Sequence, residues 1–125
     1  MKKDVVNHPP HYKSKPVECI EISEQMDFCL GNAFKYLYRY NEKGKPIEDL
    51  QKAVWYIERK LNNEKFQSYV NWDIDIIKLS NILNSEENKS IRLAMDFITL
   101  AIDRENLKLA VKNIKKVIKK LEKER

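Results

Sequence analysis

The stretch Gly44-Lys45-Pro46-Ile47-Glu48-Asp49-Leu50-Gln51-Lys52-Ala53-Val54-Trp55-Tyr56-Ile57-Glu58-Arg59-Lys60-Leu61 decides the fold. Ile47, Leu50, Val54, Ile57 and Leu61 recur at steps of three and four, the spacing of one face of an α-helix. Gly44 stands where left-handed backbone is wanted after a preceding helix. Pro46 suits the first turn of the next helix, whose N–H has no partner in any case. The reading is a helix over about 47–62, entered through a short connection.

Upstream, Asp27 is a helix N-cap for a stretch from about Phe28 to Glu42. A connection as short as Gly44-Lys45-Pro46 makes these two helices antiparallel neighbours. Before them, Val17 to about Met26 forms a short helix with Val17, Ile20 and Ile22 inward. Residues 1–17 hold Pro9, Pro10 and Pro16 and both histidines. Proline removes backbone donors and restricts its predecessor, so this segment is an extended arm.

Downstream, residues 63–71 are a polar connection carrying two aromatics. Asp73 to Leu83 reads as a helix with Ile76, Ile77, Leu79, Ile82 and Leu83 apolar. Ser85 opens another from Glu86 to about Ile102, apolar on most sides and therefore central. A last helix begins near Asp103. Its Leu107, Val111, Ile114, Ile118 and Leu121 alternate by four and three, a coiled-coil-like seam that packs on its own domain or on a second copy.

The 125 residues amount to one domain, and 2 glycines with 4 prolines leave too few breakers for an all-β fold. The expected architecture is all-α: a compact bundle of about five to six helices behind the arm. Motif-bearing helices fill 18–62, and core and assembly helices fill 72–125. Gly31 and Gly44 cannot make a glycine-rich phosphate loop of either common pattern. No apolar run is long enough to span a bilayer, and Met1-Lys2-Lys3-Asp4 leads into no apolar stretch, so neither a membrane segment nor a secretory signal is expected. Cys19 and Cys29 form no C-x-x-C pair and read as reduced, buried thiols.

The chain carries a net charge of +5. From Arg104 onward, Lys108, Lys112, Lys115, Lys116, Lys119, Lys120, Lys123 and Arg125 add positive charge, opposed only by Glu105, Glu122 and Glu124. That segment alone exceeds the net charge of the whole. It is either a solvated helix face or an electrostatic surface for nucleic acid, without aromatics for base stacking.

Chemistry concentrates elsewhere. Asn32, Lys35 or Tyr36, Arg39 and Lys43 share one face of the second helix. Asp49, Lys52, Tyr56 and Arg59 share one face of the third. Antiparallel packing lets these faces converge on a groove. Lys35, Arg39 and Lys52 would meet anionic oxygens, and Asn32 and Asp49 would make directed hydrogen bonds. Tyr36, Tyr56 or Trp55 would offer a stacking plane, so the inventory suits a nucleotide. The plainer reading is helix decoration, since pairs such as Glu48–Lys52 and Asp49–Lys52 are worth only ~0.2–0.5 kcal/mol. Tyr and Trp at helical spacing also commonly belong to the core.

His8 and His11 have several readings. They are too few to hold a metal alone. They can contact a phosphate or exchange protons, or the Pro-Pro turn straps the arm down with Tyr12 buried. Glu18, Glu21 and Glu24 form a carboxylate ladder of the kind that holds Mg²⁺ for pyrophosphate hydrolysis, but no second acidic pair is evident.

Asn7-His8-Pro9-Pro10-His11-Tyr12, then Glu18-Cys19-Ile20-Glu21, then Gly31 to Gly44, then Glu48 to Ile57 resemble the SaV-like family of small bacteriophage and prophage proteins. The resemblance spans about residues 5–60. It implies a phage or prophage origin and a nucleotide ligand; with neither a membrane segment nor a secretory signal read from the chain, the expected location is the cytoplasm of the host cell. One phage branch of that family looks like a nucleotide kinase without a P-loop, acting on deoxynucleoside monophosphates. Carried over, the site would comprise Asn32, Lys35, Tyr36, Arg39, Lys43, Asp49, Lys52 and Tyr56, closed by His8, His11 and Tyr12.

The expectation is therefore capture of a small phosphorylated nucleotide without a cofactor, for instance to sequester a host immune signal. The second reading is a deoxynucleotide kinase, which would add Mg²⁺ and use Asp49 to orient acceptor or metal. The third is a nucleic-acid-binding accessory protein working through the basic last helix. Self-association through the Leu107–Leu121 seam is expected in each case.

Overall fold

The computed structural model describes residues 19–42, 44–63, 66, 74–99 and 103–124. The chain is all-α: α1 (Ile20–Ser23), α2 (Phe28–Arg39), α3 (Pro46–Leu61), α4 (Ile76–Ser85), α5 (Lys89–Thr99) and α6 (Arg104–Lys123). No strand occurs among the described residues. The arm, with His8, His11 and Tyr12, lies outside them, as do Val17, Glu18 and Lys43.

Local chemistry sets the helix ends. The Asp27 carboxylate accepts from Leu30 N–H at 2.8 Å, and that of Asp103 accepts from Asn106 N–H at 2.7 Å. Both satisfy an amide that the first helical turn would otherwise leave orphaned. Pro46 opens α3, and Gly44 takes φ +74°, as read from the sequence. α2 ends at Arg39 rather than about Glu42, with Tyr40 as its C-cap. Asp75 starts α4, accepting from the Ile77 and Lys78 amides.

α2 and α3 form the most extensive helix pair and run antiparallel. Arg39 meets Asp49 at one end, and Asp27 meets Lys60 at the other. Leu30, Phe34 and Leu37 of α2 bury against Leu50, Ala53 and Ile57 of α3, all fully shielded. Each large apolar side chain so buried stabilises the fold by about 1.5–3 kcal/mol. α6 packs on both α5 and α3. The Arg104 guanidinium donates to the carbonyls of Leu61 and Asn63, so the start of α6 caps the end of α3. α5 is central, with Ile91, Ala94, Met95 and Ile98 buried.

Several sequence expectations are corrected. α1 is a single four-residue turn, and Ile20 faces out while Ile22 is buried. Of the apolar residues of α4, Leu79 and Ile82 are buried and Leu83 packs partly against the core, while Ile76 and Ile77 in its first turn are exposed. Ser85 ends α4, its hydroxyl donating back to Ile82 O, and Asn88 caps α5 by accepting from Ile91 N–H. Cys29 is half-buried rather than buried, and the two thiols are not joined. Most consequentially, the α6 seam is spent inside the domain. Leu107, Val111, Ile114 and Ile118 are buried and Leu121 is half-buried. The seam thus packs on its own domain, the first of the two placements its spacing allows.

Candidate functional site

Tyr36 is the centre of the candidate site. It stands at mid-α2, half-buried, on the face turned toward α3. The Lys35 ammonium and the Arg39 guanidinium each lie 4.8 Å from its ring centroid, and the Lys52 ammonium, across on α3, lies 5.5 Å away. A phenol ring attracts cations to its face through its quadrupole. One ring therefore gathers two cations of its own helix and a third from the neighbouring helix.

Tyr56 extends the ring system. It stacks on Tyr36 with centroids 6.0 Å apart and planes 15° from parallel. Trp55 and Phe28 meet Tyr56 edge-on at 5.1 Å and 6.1 Å. Trp55 is 59% exposed and Phe28 76% exposed, so both ends of this aromatic array face water.

The three cations differ in their partners. Arg39 is held at 3.8 Å from the Asp49 carboxylate, and Asp49 is 4% exposed. Among the described residues, Arg39 Nε and Asp49 Oδ2 are buried without a hydrogen-bond partner. Lys52 pairs with Glu48 at 3.4 Å, and both remain about half exposed. Such a pair is worth little and yields readily to a stronger anion. Lys35 has no ion pair among the described residues.

Of the sequence-predicted positions, Lys35, Tyr36, Arg39, Asp49, Lys52 and Tyr56 do come together. Asn32 stands beside them, but its amide donates back to Phe28 O at 2.8 Å along its own helix. Asp49 is turned inward onto Arg39, which makes it a positioning residue rather than a group presented to solvent. His8, His11, Tyr12 and Lys43 lie outside the described residues.

Two depressions flank the aromatic array. One, of about 600 Å³, is lined by Trp55, Glu58, Arg59, Asn62 and Asn63. The other, of about 290 Å³, includes Phe28, Asn32 and Lys35 with Met26 and Gly31. Asn62 and Asn63 had no signal in the sequence beyond their place at a helix end. Arg59 was readable from its helical face.

Nearby titratable groups fit a binding surface better than a nucleophilic centre. Burial, then the Asp27 carboxylate, push the Cys29 thiol up, outweighing Lys60 and Arg59. A raised thiol holds little thiolate at neutral pH. Glu21 of the carboxylate ladder pairs with Lys78 at 3.1 Å. Among the described residues, no cluster of three or more His, Cys, Asp or Glu is arranged to hold a metal ion, and no helix is long and apolar enough to cross a membrane.

No curated protein and no solved structure matches the chain. Residues 6–58 are similar to a family described as a protein of unknown function (DUF3310). The similar stretch runs through Lys35, Tyr36, Arg39, Asp49, Lys52 and Tyr56, and it stops before α4.

Proposed function

We propose that this chain binds a small phosphorylated nucleotide on the α2–α3 face and holds it without turnover. One observation carries the reading: Lys35, Arg39 and Lys52 all lie within 5.5 Å of a single tyrosine ring, itself stacked on a second. Cations meet phosphate oxygens as point charges or, for arginine, through two parallel hydrogen bonds. The exposed Trp55 and Phe28 offer a flat apolar surface for a base. The 600 Å³ depression beside Trp55 is within the range for a drug-sized ligand.

Capture is favoured over phosphoryl transfer by the state of Asp49. A kinase needs a carboxylate facing the acceptor or its metal, and Asp49 is turned onto Arg39. Together with the resemblance to SaV-like phage proteins, the reading extends to a phage or prophage protein that sequesters a host nucleotide signal.

The test is to incubate the protein with a panel of linear and cyclic nucleotides, remove free ligand, denature, and analyse what is released. Release of one intact nucleotide at near-stoichiometric amount supports capture, and its loss in Lys35→Ala assigns the face. Conversion of a monophosphate to a diphosphate with ATP and Mg²⁺ would replace capture by the kinase reading.

A further inference from the structure

The outer face of α6 is a separate charged surface that the nucleotide reading leaves unused. Lys112, Lys116, Lys119 and Lys123 follow one another at steps of four, three and four, all exposed. Steps of that size keep side chains on one line of a helix. The line is straight over eleven residue steps, about 17 Å at 1.5 Å per residue. Lys115 and Lys120 flank it. None of Lys112, Lys116, Lys119, Lys120 and Lys123 has an ion pair among the described residues. Lys108 and Lys115 are the ones neutralised, by Glu105 and Glu58.

We infer that this lysine row is a docking surface for the phosphate backbone of double-stranded nucleic acid. The row's length corresponds to about five base-pair steps at 3.4 Å per step along one strand. Lysines without intervening arginine or aromatic residues supply point charges that bind phosphate without reading bases. The absence of aromatics from the row favours a duplex, whose bases are already stacked, over a single strand.

A bilayer surface fits less well. A helix that lies in the membrane interface needs its apolar face for the acyl boundary, and here that face (Leu107, Ala110, Ile114, Val117) is buried in the core. Acidic protein partners fit less well too, because protein interfaces are depleted of lysine and enriched in arginine and aromatics.

The experiment measures binding of the full chain to a 20-bp DNA duplex by fluorescence anisotropy across 50–300 mM salt. It is repeated with the quadruple variant K112Q/K116Q/K119Q/K123Q, with Lys35→Ala, and on vesicles of anionic lipid. The inference expects a log–log salt slope of about −3 to −4, one counterion released per phosphate neutralised. In the quadruple variant, affinity at 50 mM salt falls at least tenfold and the slope shrinks toward zero, with an unchanged circular dichroism spectrum. Lys35→Ala leaves duplex binding intact, so failure here and failure of the nucleotide reading are told apart. No duplex binding, equal loss in Lys35→Ala, or an affinity for vesicles exceeding that for duplex would overturn it.

Discussion

Arg39 and Asp49 face each other across the α2–α3 interface at 3.8 Å, with the carboxylate 95% shielded from water. The pair ties the last turn of α2 to the first turn of α3. It also fixes the guanidinium over Tyr36, so one contact serves both the helix packing and the shape of the cationic cluster.

Removing one partner of a buried pair leaves the other charge uncompensated, which costs more than the pair gains. Arg39 keeps some access to water, so the expected loss for Asp49→Asn is about 1–3 kcal/mol, below the full buried-pair figure. Urea unfolding reads this as a lower midpoint with an unchanged slope. The double variant R39Q/D49N should be more stable than the sum of the single losses implies. Simple additivity would mean that the two groups do not interact.

Gly31 sits where α1 crosses α2, and a Cβ there would stand 2.8 Å from the carbonyl oxygen of Ser23. Backbone cannot give way as a flexible side chain can. Gly31→Ala gains about 1 kcal/mol of helix propensity, but overpacking against backbone costs about 1–3 kcal/mol. The expected result is a net loss of stability, with α1 displaced. A stabilised variant would show that α1 is not seated against α2 at this point. Gly44→Ala meets no atoms but must hold φ +74°, at about 1–2 kcal/mol for a residue with a Cβ.

Tyr40 predicts the alkaline behaviour. Burial, then the neighbouring Glu86 charge, push its phenol up to about 12 from 10, against a small opposing hydrogen bond from Asn41. A raised folded-state value means that the unfolded chain gives up this proton first. The contribution is therefore complete below pH 10, shrinks from there, and is gone once pH passes about 12. Unfolding midpoints taken between pH 9 and 12 should fall more steeply for the natural chain than for Tyr40→Phe. Parallel curves would refute this assignment.

The apolar row of α6 is core, not interface. Ile114→Ala should cost about 2–5 kcal/mol and should do so equally at all protein concentrations. A loss that depends on concentration would return the row to a subunit contact.

Much of the fold was legible because its signals are local. Asp27, Asp103, Gly44 and Pro46 each act on backbone within a few residues, and the Ile47–Leu61 stripe needs only helical periodicity. Ile20 reads as inward but is exposed, because apolar character does not say whether a neighbour arrives to cover it; the exposed Ile76 and Ile77 show the same. The α4–α5 boundary failed because Asn84, Ser85 and Asn88 can all cap a helix, and packing around the buried Glu86 chooses among them. In the site, the convergence of Lys35, Arg39 and Lys52 followed from two faces and one short turn. The stacking of Tyr36 on Tyr56 and the inward turn of Asp49 depend on rotamers, which spacing does not specify.

The central claim is that the cations around Tyr36 hold a phosphate. The most direct measurement compares, by calorimetry, the affinity of a captured nucleotide with that of its nucleoside, in the natural chain and in the double variant K35A/K52A. The nucleotide is expected to bind at least tenfold tighter than the nucleoside to the natural chain. In the variant this preference is expected to collapse while nucleoside affinity is unchanged. An undiminished preference for the nucleotide in the variant, or no nucleotide binding by the natural chain, would contradict it.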